Sequence, residues 1–409
     1  MSISTNSAVQ FPDDFAFGVS TAAYQIEGAA TAGGRGPSIW DTFAHSPGRV
    51  IDGSTGDVAI DHYHRLDEDL DHVASLGVQA YRFSISWSRV QPTGEGPFND
   101  EGLAFYSRLI DGLLERGIAP YATLYHWDLP QALEDAYGGW LARETAEAFG
   151  RYAAGVGRSL GDRVAVWATI NEPWCIAFLG YGTGEYAPGR IDAAESLRVA
   201  HHLNLAHGLG VKALRETITR TDAKIGVVLN PVYAEASGDR GEEAVRRIDA
   251  VSNRIFTGPM LHGSYPDDLF ADTAAITDWS FIRAGDAEVI HQPIDLLGIN
   301  YYTFIRVRLT DEPAAPAGVA TVHPGSSHVE VVPSDAPTTT YGWPIEPDGL
   351  ERLLLSLAEQ FPALPLFVAE NGAAMPDAVV EGPHGRRIDD VDRIDYLARH
   401  LSAVHRARE

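Results

Sequence analysis

The sequence predicts an α/β fold of the (β/α)8 barrel type, and three observations carry this prediction. Short apolar runs alternate with longer segments of helical periodicity along the chain, a pattern typical of a parallel sheet. Glycine separates helix from strand at Gly77, Gly117 and Gly161, where it can adopt the left-handed conformation that ends a helix. The chain has 409 residues, enough for one large barrel or for two or three ordinary domains.

Seven apolar runs have the length and composition of buried strands. In chain order they are 15–20, 80–86, 119–125, 164–170, 224–230, 295–301 and 366–370, and a last helix is predicted over 392–407. Seven units indicate a barrel that needs eight, so we expect a (β/α)8 barrel without its strand 8 and helix 8 in this chain. A doubly wound open sheet is the alternative, but no GxGxxG motif follows an early strand.

Composition narrows the class of protein. Hydrophobic residues make up 45% and charged residues 21%, which excludes a disordered or fibrous chain. The net charge of −25 disfavours binding to nucleic acid or to an anionic membrane. One cysteine, Cys175, excludes an intramolecular disulfide and a cysteine-based metal site. No secretory signal and no membrane span is visible, so we expect a cytoplasmic location.

Polar and aromatic residues recur where the predicted strands end. They are Gln25 after strand 1, Arg82 in strand 2, His126 and Trp127 after strand 3, Asn171 and Glu172 after strand 4, Asn300 and Tyr302 at strand 6, and Glu370 at strand 7. In a β/α barrel these positions meet at the C-terminal face, where the chemistry takes place. Surface loops would not need tryptophan and tyrosine at these points.

Two carboxylates, Glu172 and Glu370, end strands that face each other across a closed barrel. Paired carboxylates suit the cleavage of a glycosidic bond, because a protonated one donates to the leaving oxygen while the other attacks the anomeric carbon. Tyr302 and Arg82 could keep Glu370 ionised through a hydrogen bond and a positive charge. Asn171 could bind a sugar hydroxyl.

The segments WATINEP (167–173) and FVAENG (367–372) resemble the two signatures of the family 1 glycoside hydrolases, the β-glucosidase family. Further blocks match in the same order: FAFGVSTAAYQIEGA (15–29), DHYHRLDEDLDHVASLGVQAYRFSISWSRV (61–90), LYHWDLPQAL (124–133), GGWL (138–141), LGINYYT (297–303) and GWPIEPDGL (342–350). The resemblance begins near residue 11, so we expect one glycosidase domain over 11–409 after an N-terminal tail, 1–10.

The resemblance implies a role for each matching residue. Glu172 is the general acid/base and Glu370 the nucleophile of a retaining mechanism with a covalent glycosyl-enzyme intermediate. The implied substrate-binding residues are Gln25, His126, Trp127, Asn171, Tyr302, Trp174 and Trp343, with Trp343 as the stacking platform for the aglycone. Arg82 and Asn300 are implied to support the nucleophile. The resemblance implies neither a metal nor a cofactor, and its substrates are small β-glucosides or cello-oligosaccharides.

The sequence departs from the family after its last helix. The family continues with an eighth strand and a loop whose Trp, Glu and Trp bind the sugar's 4- and 6-hydroxyls, and these lie outside the 409 residues. Two alternatives therefore stay open, a 6-phospho-β-glycosidase and an inert truncated sugar-binding barrel. The aglycone, the choice among glucose, galactose and fucose, transglycosylation, the oligomeric state and the activity of this form also stay open.

Weaker signals are interpreted as structural. The histidines His62, His64, His201 and His202 are expected on helix surfaces or in loop packing rather than on a metal. The acidic run 67–71 is expected at a solvated helix start, where it favours the helix dipole. The stretch 309–337, rich in Ala, Pro, Ser and Thr, predicts a long loop near the pocket rim.

Overall fold

The computed structural model describes residues 9–314, 320–383 and 385–409, and its centre is a TIM-like barrel of parallel strands that is nearly closed. The barrel strands are β1 (Gly18–Ser20), β2 (Ala80–Ser84), β3 (Ala119–Tyr125), β4 (Val166–Asn171), β5 (Lys224–Leu229), β6 (Leu296–Asn300) and β7 (Leu366–Glu370). All seven predicted strands are confirmed, with bounds that shift by three residues at most. Their sequential order excludes the doubly wound sheet, whose strand order reverses.

Helices surround the sheet. The main ones are α1 (Leu66–Ser75), α2 (Asp100–Glu115), α3 (Arg143–Leu160), α4 (Ala193–Thr217), α5 (Gly241–Asp249), α6 (Pro347–Gln360) and α7 (Val391–Arg408). Shorter α-helical or 3-10 segments are Ala23–Ile26, Ile39–His45, Trp87–Val90, Gln131–Tyr137, Gly139–Leu141, Ile255–Thr257, Asp267–Thr273 and Asp286–Ile290, and π-helical segments are Cys175–Thr183, Ala250–Arg254 and Gly258–His262. The helix predicted over 392–407 is confirmed as α7.

The sequences of the barrel strands are nearly continuous apolar runs because these strands are buried. Every residue of β2, β4 and β6 is buried, as expected for parallel strands that are covered on both faces. Strands β5 and β6 approach so closely that a Cβ built on Gly226 would lie 2.2 Å from the carbonyl oxygen of Leu296. Only glycine fits this position, which lies near the N-terminal ends of the two strands.

The two ends of the sheet, β1 and β7, approach each other without pairing. Strand β1 is hydrogen-bonded to β2 alone, and β7 to β6 alone, within the described part of the chain. A strand with one unpaired side leaves backbone N–H and C=O groups without a partner from the sheet.

The prediction of a loop over 309–337 is wrong in part. Residues Ile305–Leu309 and Val329–Val332 form an antiparallel pair, and Ala234–Ala236 joins it in parallel. The alternation of apolar and charged residues buries Val307 against Ala244 and Ile248 while the arginines stay outside. Residues 315–319 of the predicted loop lie outside the described residues.

Three of the histidines considered above join neighbouring elements. His62 is hydrogen-bonded to Asp69 of α1 at 2.7 Å, and His201 of α4 is hydrogen-bonded to Asp286 at 3.0 Å. His202 contacts the carbonyl oxygen of Trp140 at 2.8 Å. The fourth, His64, is exposed and hydrogen-bonded to Asp61 at 2.6 Å.

Across the described ranges, no helix is both long enough and apolar enough to span a bilayer.

Candidate active site

Strands β4 and β7 deliver the two carboxylates to the C-terminal face of the barrel. Glu370 is the last residue of β7, and Glu172 directly follows β4, where its backbone N–H still donates to the Val228 carbonyl of β5 at 2.9 Å. Glu172 has a φ of 49°, in the left-handed region that a residue with a side chain seldom adopts. Such strain persists at functional sites, where the surrounding structure imposes it.

Glu370 is held as a carboxylate by two donors. Arg82 Nη1 donates to Oε1 and the Tyr302 hydroxyl donates to Oε2, both at 2.7 Å. Burial opposes ionisation of Glu370, but the charge of His126 at the acidic pH where that ring is protonated, the charge of Arg82 and these hydrogen bonds outweigh it and lower the pKa of the carboxyl below its ordinary value. Burial also lowers the pKa of His126 to about 4, so Arg82 is the cation beside Glu370 at pH 7.

The surroundings of Glu172 favour its protonated form, in contrast to those of Glu370. Burial, reinforced by the negative charge of Glu370, raises the pKa of Glu172 to about 7. Asn300 Nδ2 donates to its Oε1 at 2.7 Å, and the Cys175 thiol lies 3.3 Å from Oε2. Around neutral pH one carboxyl therefore carries a proton while the other is ionised, which divides the pair into an acid and a nucleophile.

Arg82 connects four strands of the barrel through one guanidinium group. Besides its bond to Glu370, Nε donates to the Thr123 hydroxyl of β3 at 3.0 Å, and Nη2 donates to Asn171 Oδ1 of β4 at 2.6 Å. Asn300, expected beside the nucleophile, instead donates to Glu172 and, at 3.1 Å, to Asn171 Oδ1. The structure thus places Asn300 on the acid/base side of the network.

Three of the residues expected to bind the sugar line a common cavity, and its lining does not include Asn171, Tyr302, Trp174 or Trp343. Gln25, His126 and Trp127 border a cavity that opens to solvent and continues towards Trp40. The indole N–H of Trp127 donates to the backbone carbonyl of Asn171 at 3.0 Å, which fixes this wall of the cavity to the end of β4. The side-chain nitrogen of Asn171 lies 3.3 Å from His126 Nε2. Asn171, which directly precedes Glu172, therefore connects two residues of the cavity wall to the acidic pair, although neither carboxylate lines the cavity itself.

Aromatic side chains extend from the acidic pair towards solvent. The ring of Trp343 lies 5.7 Å from that of Tyr302 and 5.3 Å from that of Tyr341, with 41% of Trp343 exposed. On another side, the Trp174 ring lies 5.9 Å from His323. Trp343 thus lies in the outer part of the site, whereas Trp174 is half-buried, and their contact with an aglycone stays a prediction.

Several residues of the site were not predicted from the sequence. Tyr186 packs on the cavity wall, 5.3 Å from Trp127 and 5.5 Å from Trp40 between ring centroids. Tyr341 and His323 were also missed, since neither ends a strand. The contact of Cys175 with Glu172 could have been foreseen, because the two stand three residues apart at the start of a helical segment.

A metal site is not formed by the residues that the structure describes: no three His, Cys, Asp or Glu side chains are placed to bind one ion.

An acid and an ionised carboxylate at the open face of a β/α barrel, beside a cavity walled by Trp, His and Gln, define a glycoside hydrolase. The chain belongs to glycosyl hydrolase family 1, whose model matches residues 7–409.

Relatives and solved structures agree with this assignment. A bifunctional β-D-glucosidase/β-D-fucosidase of Bifidobacterium breve is 51% identical over 404 residues, which cover 98% of this chain and 86% of the relative. The psychrophilic β-glucosidase BglU of Micrococcus antarcticus has a TM-score of 0.89 and 44% identity, over 97% of this chain and 86% of that one. The Thermotoga maritima β-glucosidase bound to glucoimidazole has a TM-score of 0.88 and 40% identity, over 98% and 87%.

Proposed function

We propose that this glycoside hydrolase is a retaining β-glucosidase that releases terminal β-D-glucosyl residues from small β-glucosides and cello-oligosaccharides. The observation that carries the proposal is the opposite protonation of two carboxyls at the ends of β4 and β7, Glu172 with a pKa raised to about 7 and Glu370 with a lowered pKa. Relatives named as β-glucosidases support the choice of substrate.

In the first half of the reaction a carboxylate oxygen of Glu370 attacks the anomeric carbon. As the bond from that carbon to the glycosidic oxygen breaks, Glu172 gives its proton to this oxygen and the aglycone leaves as an alcohol. Arg82 and Tyr302 keep Glu370 ionised until the attack, and they keep its oxygens in a fixed orientation. The product is a glucosyl ester of Glu370.

The second half of the reaction depends on the loss of the negative charge of Glu370. Glycosylated Glu370 is neutral, so its contribution to the raised pKa of Glu172 disappears; burial still acts, but the pKa falls and the carboxylate form of Glu172 is favoured. It then takes a proton from the water that attacks the anomeric carbon, and Glu370 departs as a carboxylate. Two inversions at the anomeric carbon restore the β configuration.

Sugar and aglycone bind on different parts of the site in this proposal. Gln25, His126 and Asn171 hold hydroxyls of the glucosyl ring and Trp127 forms one wall. Trp343 and Trp174 contact the aglycone. Because the Bifidobacterium breve relative is named for both activities, we expect β-D-fucosides, which lack the 6-hydroxyl, to be substrates as well.

The 6-phospho-β-glycosidase alternative gains no support from the cavity. Its described lining contains glutamine, histidine, tryptophan and small residues but no lysine or arginine, and the chain carries a net charge of −25. A dianionic sugar phosphate needs cationic partners.

The expected cytoplasmic location stays a prediction.

We further propose that an eighth strand and helix complete the barrel between β1 and β7, from polypeptide beyond the 409 residues. Both strands are paired on one side only in the described chain. Helix α7 presents an exposed apolar stripe at helical spacing, formed by Val391, Ile394, Leu397 and Leu401. In the isolated 409-residue chain, hydrogen exchange should be faster in β1 and β7 than in β3 and β4. Equal protection would contradict this second proposal.

A mechanism-based trap tests the proposed function. A 2-deoxy-2-fluoro-β-D-glucoside with a good leaving group should form a stable ester, and peptide mass spectrometry should locate it on Glu370. Glu370→Ala should remain unlabelled, while Glu101→Ala, at an exposed carboxylate of α2, should label normally. A label on another residue, or none on folded protein, would overturn the proposal.

A further inference from the structure

The carboxyl of Glu172 is held from two sides, and one of the partners is the single cysteine of the chain. The Cys175 sulfur lies 3.3 Å from Oε2, while Asn300 Nδ2 lies 2.7 Å from Oε1. Asn230 Nδ2 donates to the same sulfur at 3.5 Å. Because Asn230 supplies a donor to the sulfur, the thiol hydrogen is free to point at Glu172.

The backbone explains why this contact is rigid. Cys175 opens the π-helical segment Cys175–Thr183 and is buried, and Glu172 just before this segment has the left-handed φ of 49°. The left-handed turn at Glu172 and the helical spacing after it bring the two side chains together. A carboxyl that must deliver a proton to one oxygen atom gains from such a fixed orientation.

We propose that Cys175 is a positioning residue for the acid/base: its thiol orients Oε2 of Glu172 for proton delivery and donates to the carboxylate when Glu172 acts as a base. This inference rests on the role of Glu172 under the proposed function. Cys175 does not contact the reacting atoms itself. The pairing of a thiol with an amide, one on each carboxyl oxygen, leaves Glu172 little freedom to rotate.

Electrostatics supports a thiol rather than a thiolate at this position. Burial and the neighbouring Glu172 raise the pKa of Cys175 well above its usual range, so it stays protonated and remains a donor. The charged or titratable groups that face Glu172 are Glu370, Arg82, Tyr302, Tyr186 and Cys175. Of these, Arg82 and Cys175 favour the ionised form of Glu172, whereas Glu370 opposes it. Loss of the thiol donor therefore raises the pKa of Glu172.

A leaving-group series separates positioning from mere packing. Acid assistance matters for poor leaving groups and little for 2,4-dinitrophenolate, which departs without a proton. In Cys175→Ala we expect kcat/KM for cellobiose and methyl β-D-glucoside to fall about fivefold, as for one weak hydrogen bond, and that for the dinitrophenyl glucoside to change less than twofold. The basic limb of the pH profile should move up by about 0.3 to 0.5 pH units.

Two variants control for packing. Cys175→Ser keeps a donor and should restore the cellobiose rate to within about twofold of the wild type. Ile176→Val trims the neighbouring buried side chain and should leave both the leaving-group ratio and the pH profile unchanged. An equal loss for all leaving groups in Cys175→Ala, or an unmoved basic limb, would overturn the proposal.

The variant Glu172→Gln distinguishes a failure of the proposed function from a failure of the role proposed for Cys175. It should lose cellobiose hydrolysis almost entirely while still releasing 2,4-dinitrophenol in the first turnover. If Glu172→Gln hydrolyses cellobiose normally, the proposed function fails. If it behaves as expected and Cys175→Ala does not, only the role of Cys175 is refuted.

Discussion

Removing one hydroxyl, in Tyr302→Phe, should shift the acidic limb of the pH profile and leave the basic limb nearly in place. The Tyr302 hydroxyl donates to Glu370 Oε2 at 2.7 Å, and the Glu370 side chain is only 16% exposed. A hydrogen bond to a charged group is worth about 1.5–3 kcal/mol, which corresponds to about 1–2 pKa units. Because Arg82 keeps its own bond to Glu370, we expect the lower value, about 1 unit.

The direction in which the acidic limb moves follows from the protonation state of Glu370 that the Tyr302 hydroxyl stabilises. Tyr302 stabilises the ionised carboxylate, so its loss raises the pKa of Glu370 and the nucleophile becomes protonated at a higher pH. The acidic limb of kcat/KM should therefore move up by about 1 pH unit. The basic limb, which reports Glu172, should stay near its wild-type position.

The assay is the pH dependence of kcat/KM for an aryl β-glucoside from about pH 4 to pH 9, with folding checked by circular dichroism at each end. Tyr301→Phe is the matched control, since the neighbouring Tyr301 hydroxyl donates to the Glu346 carbonyl instead of to a catalytic carboxyl. Its acidic limb should not move. An unmoved acidic limb in Tyr302→Phe, or one displaced towards lower pH, would refute the reasoning.

Three further predictions follow from the same geometry. In the wild type, kcat/KM should decline as the pH rises through about 7, where Glu172 loses its proton, and a basic limb above pH 9 would contradict this assignment. Arg82→Met removes the cation bonded to Glu370 and should cost about 3–5 kcal/mol of unfolding free energy, measured by urea titration; a loss under 1 kcal/mol would show that the pair is not coupled to the fold. Gly226→Ala places a methyl group 2.2 Å from the Leu296 carbonyl oxygen and should lower stability by about 1–3 kcal/mol, and an unchanged melting temperature would speak against this close approach.

Much of the barrel could be predicted because burial determines it locally. Strand β4 is buried at every position, so its apolar run needs no knowledge of its neighbours. The same reasoning predicted where Glu172 and Glu370 lie, since parallel strands end at a common face. The side-chain network there was partly predictable, because a tyrosine after one strand and an arginine within another, Tyr302 and Arg82, were expected to keep Glu370 ionised.

Other features depend on contacts that no local pattern encodes. The pair formed by Ile305–Leu309 and Val329–Val332 needs a partner about twenty residues away, and its alternating residues stand beside a stretch of loop composition. Asn300 ends a strand between both carboxyls, and only the register of β6 decides that its amide donates to Glu172.

The central claim is that Glu370 and Glu172 together perform double displacement on a β-glucoside. Proton NMR of 4-nitrophenyl β-D-glucopyranoside hydrolysis by the purified protein tests it most directly, with Glu370→Ala as the control. We predict that β-glucose appears first and mutarotates to the α anomer later, and that Glu370→Ala forms neither at a measurable rate. Initial release of α-glucose, or full activity in Glu370→Ala, would contradict the assignment of Glu370 as the nucleophile.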